Sequence, residues 1–158
     1  MRILLVLLML GVTGIAYSQV AQQPFTITLS AIKSEVKAGA PIPLHIVLVN
    51  LSQQDISVFR SPGHGHAELF YTVTVSDSEG NVLPTTSYGD AILNKGARSV
   101  SKILTTIKPG EKLEEDATIS DLFDMKSAGT YKVVVKRPSP LDLNVLIQSN
   151  EISITVTD

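Results

Sequence analysis

The residues with the clearest capacity for chemistry lie in one short segment, His64-Gly65-His66-Ala67-Glu68. In an extended chain, residues at i, i+2 and i+4 point to the same side, so His64, His66 and Glu68 would converge there. Imidazole and carboxylate groups are ligands for Zn²⁺ and Cu²⁺. The segment therefore predicts a weak transition-metal site at His64, His66 and Glu68. The spacing predicts no fourth ligand. For that reason, the alternative interpretation of this segment as a solvated loop is favoured over the metal site.

The other reactive side chains form no pattern typical of an enzyme. Serines are plentiful, but the chain has no Gly-x-Ser-x-Gly elbow and no phosphate-binding glycine loop that leads into a helix. Six carboxylates lie between positions 111 and 124. We interpret them as the wet face of a strand followed by a helix cap, because a calcium loop needs a different spacing with a glycine inside. We therefore expect a non-catalytic protein without a cofactor.

Composition narrows the class of protein further. The 158 residues include no cysteine, which excludes disulfides, thiolate metal sites and cysteine nucleophiles. Thirteen Lys and Arg residues stand against fifteen Asp and Glu residues, so the chain has no basic excess with which to bind a nucleic-acid backbone. Hydrophobic residues make up 44% and charged residues 18%, a balance typical of a folded chain. The length fits one domain.

The N-terminus has the pattern of a secretory signal peptide. A positively charged second residue precedes the unbroken apolar run Ile3–Leu10, and Ala16-Tyr17-Ser18 places small residues before a cut after position 18. A cut after Ala16 is the alternative. The apolar run is shorter than the ~20 residues that a membrane span needs. We expect residues 1–18 to be removed, which leaves a periplasmic or extracellular protein with no membrane span.

The rest of the chain alternates between short apolar segments and turns. A polar, flexible lead-in at 19–24 precedes Phe25–Ser30, where apolar and polar residues alternate as in a half-buried strand. The long segment Pro84–Arg98 has no regular pattern, and long loops often carry binding surfaces. The pattern predicts one all-β domain over 25–158, an antiparallel β-sandwich of ~7–9 strands. The predicted strands are Phe25–Ser30, Ile42–Val49, Ile56–Phe59, Phe70–Ser76, Val100–Ile107, Lys112–Ser120, Tyr131–Val135 and Ile152–Thr157.

Two local details add to this prediction. Pro43 has no backbone donor, so it belongs at the start of its strand or at a bulge. The segment Ser120–Met125 predicts a single helical turn that is capped by Ser120 or Asp121.

Several motifs resemble those of immunoglobulin-like domains. Gly129-x-Tyr131 follows the short turn and opens a strand, as in a tyrosine corner, where the phenol donates to upstream backbone. This resemblance implies structural roles for Gly129 and Tyr131, with a backbone acceptor near the segment Asp121–Met125. The turn Lys108-Pro109-Gly110-Glu111 and the strand end Asn50-Leu51-Ser52 are similar to those of bacterial immunoglobulin-like modules.

Over nearly the whole mature chain, the motifs resemble those of secreted bacterial single-domain proteins with an immunoglobulin-like fold, a group that is mostly uncharacterised. More distantly, they resemble the bacterial intracellular proteinase inhibitor family. The resemblance implies an immunoglobulin-like β-sandwich, a fold that hosts many unrelated functions.

Three functions remain open on the sequence. The first is a non-catalytic secreted or periplasmic module that binds an unknown protein or envelope component through loops or a strand edge. The second is a proteinase inhibitor that presents the loop Arg60–Glu68 or Tyr88–Arg98 as bait. The third is a periplasmic protein that binds a transition metal weakly through His64 and His66.

Overall fold

The computed structural model describes residues 23–62, 66–93 and 101–158. The predicted signal peptide at 1–18 lies outside these residues, as does His64. The described chain is mostly β-strand, with one short α-helix, α1 (Ser87–Leu93), and 3₁₀ turns at Ala67–Leu69 and Ile119–Asp121. Its strands are β1 (Phe25–Ala31), β2 (Glu35–Lys37), β3 (Pro43–Asn50), β4 (Ile56–Arg60), β5 (Thr72–Ser76), β6 (Ile103–Ile107), β7 (Lys112–Thr118), β8 (Gly129–Pro138), β9 (Leu146–Gln148) and β10 (Ile152–Thr157).

The strands form two main sheets and a ribbon. In the first sheet, β3 lies between β1 and β7, and both pairs are antiparallel. The second sheet has the order β2-β10-β8-β5, and β9 pairs with the end of β8. Strands β4 and β6 form a separate antiparallel ribbon. This arrangement confirms the predicted immunoglobulin-like antiparallel β-sandwich, with two differences: the described residues form ten strands rather than the ~7–9 predicted, and the short strand β2 runs parallel to β10.

Alternation along the strands places the core between the two main sheets. In β3, every second residue is buried, including Leu44, Ile46 and Leu48. In β8, Val133 and Val135 face them from the second sheet's side of the core. Each such side chain contributes roughly 1.5–3 kcal/mol when it leaves water, so the two-residue period selects this face for burial. Pro43 is the first residue of β3, as its missing N–H requires.

Asn50 forms the corner at which the first sheet passes into the ribbon. Its fully buried side chain donates to the carbonyls of Gln54 and Ile107, each at 2.8 Å. In the facing turn, Gly110 has a φ of 78°, a conformation that favours glycine, and its N–H donates to the Asn50 carbonyl. These bonds fix where the β4–β6 ribbon leaves the sheet.

The segment between β5 and β6 differs from the prediction. Residues 87–93 form α1, although the sequence predicts no regular structure over 84–98. A helix of two turns is too short to show a clear hydrophobic period. The helical turn predicted over Ser120–Met125 is also shifted: the 3₁₀ turn is Ile119–Asp121, and the two predicted caps, Ser120 and Asp121, lie inside it. The Ser120 hydroxyl instead accepts the N–H of Ile42 at 3.2 Å.

Tyr131 anchors the loop that leads into β8. Its phenol donates to the carbonyl of Ser127 at 2.7 Å, and its ring is buried. The acceptor lies two residues beyond Met125, close to the segment near which it was predicted. Gly129 opens β8 opposite Val156 of β10.

Removal of the Tyr131 hydroxyl should lower the free energy of unfolding by about 1 kcal/mol, because the Ser127 carbonyl loses its hydrogen bond. The test is the urea unfolding midpoint of Tyr131→Phe beside that of the wild type. Tyr88→Phe is the control, since the Tyr88 phenol makes no hydrogen bond within the described residues. Equal midpoints for Tyr131→Phe and Tyr88→Phe would count against a stabilising role for the bond.

Candidate functional site

The structure describes two of the three predicted metal ligands, His66 and Glu68. The Nδ1 atom of His66 lies 3.0 Å from Oε1 of Glu68, so these side chains are in contact. A 3₁₀ turn rather than an extended chain brings them together, and His66 precedes it with a φ of 68°. His64 lies outside the described residues. Among the residues that are described, no three His, Asp or Glu side chains converge on one point, and the metal site stays a prediction.

We expect any binding of Cu²⁺ or Zn²⁺ to depend on His66, because it supplies one of only two or three ligands. Such binding should be weak, since ligands without fixed surroundings hold a metal loosely. Isothermal calorimetry of residues 19–158 should show weak heats that decrease at acidic pH, since imidazole ligands must be deprotonated. His66→Ala should abolish these heats, and His45→Ala should leave them unchanged. The same heat from His66→Ala as from the wild type would remove the metal site from consideration.

Glu68 lies in a pocket formed by the two 3₁₀ turns, α1, the start of β3 and the end of β7. The side chain is only 5% exposed, and its Oε2 atom has no hydrogen-bond partner among the described residues. A buried polar atom without a partner costs about 1–3 kcal/mol, so it calls for an explanation. We name this the Glu68 pocket; its lining residues are Pro43, His66, Glu68, Tyr88, Asp116, Ala117, Thr118 and Asp121.

The Glu68 pocket is acidic. Besides Glu68, it holds the carboxylates of Asp116 and Asp121. Asp116 lies 2.9 Å from Nδ1 of His45, its cross-strand neighbour. Burial raises the pKa of Tyr88, and the negative charges of Glu68 and Asp121 add to the rise. The Tyr88 phenol therefore remains protonated beside two carboxylates, and the pocket favours a positively charged ligand.

A second candidate site lies on the outer face of the ribbon. Phe59 of β4 and Leu104 of β6 are directly opposite each other and are 45% and 59% exposed. Leu143, in the loop between β8 and β9, is 75% exposed and shares a groove with Phe59. We name these three residues the ribbon surface. Clustered apolar side chains in water are typical of an interaction site.

Arg137 connects the ribbon to both main sheets. Its Nη1 atom lies 3.1 Å from Oε2 of Glu115, and its Nη2 atom donates to the carbonyl of Phe59. Tyr71 donates to the same Glu115 oxygen at 2.9 Å, and the guanidinium carbon is 4.8 Å from the centre of the Tyr71 ring. Arg137 and Glu115 are each about 4% exposed. One buried guanidinium thus connects β7, β8 and β4.

This network corrects two sequence interpretations. Glu115 is not on the wet face of its strand, because it shares the inward face of β7 with Ala117. The apolar strand Tyr131–Val135 does not end before Arg137, since β8 continues through Pro138. In the sequence, the two-residue spacing that places Glu115 on the same strand face as the apolar Ala117 could have indicated that Glu115 is buried.

The network also keeps the Tyr71 phenol protonated. Burial raises its pKa, the positive charge of Arg137 partly opposes the rise, and Glu115 adds to it. Tyr71 therefore acts as a hydrogen-bond donor to Glu115 throughout the ordinary pH range.

No protein-family model and no curated protein sequence matches the chain. Among solved structures, it is similar to the CARDB domain of a Pyrococcus furiosus protein in complex with di-metal ions, at 10% identity and a TM-score of 0.43, covering 84% of this chain and 87% of that one.

Two enzymes are similar over part of their length. A β-glucosidase from Listeria innocua matches at 12% identity and a TM-score of 0.44, over 84% of this chain and 16% of the enzyme. The DNA glycosylase AlkC from Pseudomonas fluorescens, bound to DNA, matches at 9% identity and a TM-score of 0.45, over 86% of this chain and 31% of the enzyme. At these identities and TM-scores, the similarities assign neither a ligand nor an activity to this chain.

Within the described parts of the chain, no helix has the length and apolar character that a membrane crossing requires.

Proposed function

We propose that the chain is a secreted, non-catalytic module that binds a protein or envelope component through its ribbon surface. The observation that carries this proposal is the exposure of Phe59 and Leu104 on a ribbon whose backbone is bonded to Arg137, with the exposed Leu143 in the neighbouring loop. Large apolar side chains gain free energy when a partner removes them from water. A fixed backbone reduces the entropy lost on binding.

The surroundings of Phe59 fit the usual anatomy of a protein interface. The ammonium of Lys102 lies 4.6 Å from the centre of the Phe59 ring, which places a charged group beside an apolar centre. Interfaces typically combine an aromatic and aliphatic centre with a polar rim. The ribbon also offers a strand edge, since β4 pairs with β6 and with no other strand in the described part of the chain. An extended segment of a partner can add to such an edge.

Pull-down from an envelope extract with the mature chain tests the proposal. Leu104→Ser and Leu143→Ser should each reduce recovery of the bound partner about tenfold or more, as expected when one leucine no longer buries its surface. Ile32→Ser is the matched control, because Ile32 is similarly exposed but lies beside the start of β3, away from the ribbon surface. Undiminished recovery with both ribbon variants would overturn the proposal.

A proteinase panel separates the inhibitor alternative from this proposal. The bait loops Arg60–Glu68 and Tyr88–Arg98 each include positions outside the described residues. Inhibition of a proteinase by the wild type and by Leu104→Ser alike would replace the proposed function with inhibition through one of these loops.

A further inference from the structure

The proposed function leaves the Glu68 pocket without a role. Strand β4 ends at Arg60, and His66, which lines the pocket, follows a few residues later in the sequence. His66 and Tyr88 also line an adjoining depression with Ser61 and Ser101, which flank the two ribbon strands. The pocket and the ribbon surface therefore belong to neighbouring parts of the molecule.

We propose that the Glu68 pocket binds the guanidinium of an arginine side chain from the partner polypeptide. This inference rests on the proposed function and adds the chemistry of the partner. Glu68 is the anchor, because its Oε2 is buried and lacks a donor among the described residues. Asp121 is exposed at the same pocket and supplies a second negative charge. A guanidinium that enters the pocket provides the missing donor and the opposite charge.

The arrangement of acceptors favours an extended cation over a metal ion. Among the described residues, the carboxylates and His66 do not converge on one point as metal ligands must. A guanidinium carries five N–H donors in a planar fork and so reaches acceptors that lie apart. Tyr88, half-exposed at the pocket, presents an aromatic ring on which a guanidinium can stack. A lysine ammonium has neither the fork nor the plane.

The adjoining depression suggests what flanks the arginine. Besides His66 and Tyr88, its lining includes the apolar side chains of Pro62, Leu69 and Ile92. An apolar residue next to the arginine in the partner can occupy this depression while the guanidinium occupies the Glu68 pocket. The partner segment is therefore an arginine beside an aliphatic residue.

The probe is a fluorescently labelled peptide, Gly-Leu-Arg-Leu-Gly, and its neutral isostere with citrulline in place of arginine. Fluorescence polarisation with the mature chain should show binding of the arginine peptide and at least tenfold weaker binding of the citrulline peptide. Glu68→Gln should weaken binding of the arginine peptide roughly tenfold, as for the loss of one hydrogen bond between charged groups. Asp124→Asn, an exposed acid outside the pocket, should leave it unchanged.

Equal binding of the arginine and citrulline peptides would overturn the inference, and so would unchanged binding to Glu68→Gln. Should Glu68→Gln not fold, Asp121→Asn decides in its place, because Asp121 is exposed and its amide should weaken arginine binding about threefold by the loss of one screened charge.

Leu104→Ser separates the two proposals, since it should leave peptide binding intact while partner recovery is lost. Loss of partner recovery without any arginine preference refutes the pocket alone. Arginine binding with partner recovery that is independent of the ribbon surface refutes the proposed function alone.

Discussion

Replacement of Arg137 by methionine should lower the free energy of unfolding by about 3–5 kcal/mol, because it leaves a buried carboxylate without its counter-charge. Glu115 would keep one donor, the Tyr71 phenol at 2.9 Å, and lose the guanidinium at 3.1 Å. The Phe59 carbonyl would lose a donor as well. Urea unfolding monitored by circular dichroism measures the change. A loss of less than about 1 kcal/mol would contradict a buried charge of this kind.

Two controls identify the cause. Lys136→Met removes a neighbouring cation of β8 that makes no ion pair within the described residues, so its effect should stay within about 0.5 kcal/mol. The double variant Glu115→Leu with Arg137→Met removes both charges and should recover much of the stability, because two apolar side chains can replace a buried pair. A double variant no more stable than Arg137→Met would assign the loss to packing rather than to the unpaired carboxylate.

The second large effect is expected at Gly89. A Cβ atom added to Gly89 would lie 2.0 Å from the backbone oxygen of Leu122, a contact that no real Cβ atom tolerates. That oxygen accepts the N–H of Thr86 at 2.9 Å, and it cannot move without breaking this bond. Gly89→Ala should therefore destabilise the protein by about 2 kcal/mol, since overpacking exceeds the ~1 kcal/mol that alanine contributes as a helix former. Thermal unfolding measures the loss.

Gly129→Ala is the matched control. A Cβ at Gly129 meets nothing closer than the Tyr131 ring at 4.0 Å, and its φ is not in the left-handed region. We expect a change within about 0.5 kcal/mol for this variant. Because Gly89 adjoins Tyr88, the Gly89→Ala variant should also bind the arginine peptide more weakly. Equal melting temperatures for Gly89→Ala and Gly129→Ala would show that α1 does not pack closely on Leu122.

The sandwich was predictable because burial follows a simple period in its strands. Phe25–Ser30 and Ile152–Thr157 alternate apolar and polar residues, and the structure forms β1 and β10 over these segments. Pro43 and Gly110 also take the positions that their backbone chemistry requires. Such signals depend only on residues close in sequence, so the structure confirms them.

The elements that the sequence did not predict depend on distant contacts. Strand β2 has three residues, and it exists because Glu35–Lys37 lies beside β10 in parallel register. The helix α1 forms where Gly89 allows a close approach to Leu122, which is far along the chain. A single sequence does not show either contact.

The candidate site was predictable only in part. The segment His64–Glu68 was singled out for its residue types, and the structure brings His66 and Glu68 together. The acids Asp116 and Asp121 were instead interpreted as a wet strand face and a helix cap, although both line the same pocket. The ribbon surface could not be predicted from its residue types, because Phe59 and Leu104 are equally suited to a buried strand. Their exposure is a property of the folded ribbon, in which the two residues lie directly opposite each other.

The most direct test of the central claim is photo-crosslinking in cells that express the chain. A photoreactive phenylalanine derivative replaces Leu104 in one variant and Ile32 in another, and adducts are compared after illumination. We predict a discrete adduct from position 104, none from position 32, and loss of the adduct when Leu143→Ser is added to the first variant. No adduct from position 104, or equal adducts from both positions, would contradict binding through the ribbon surface.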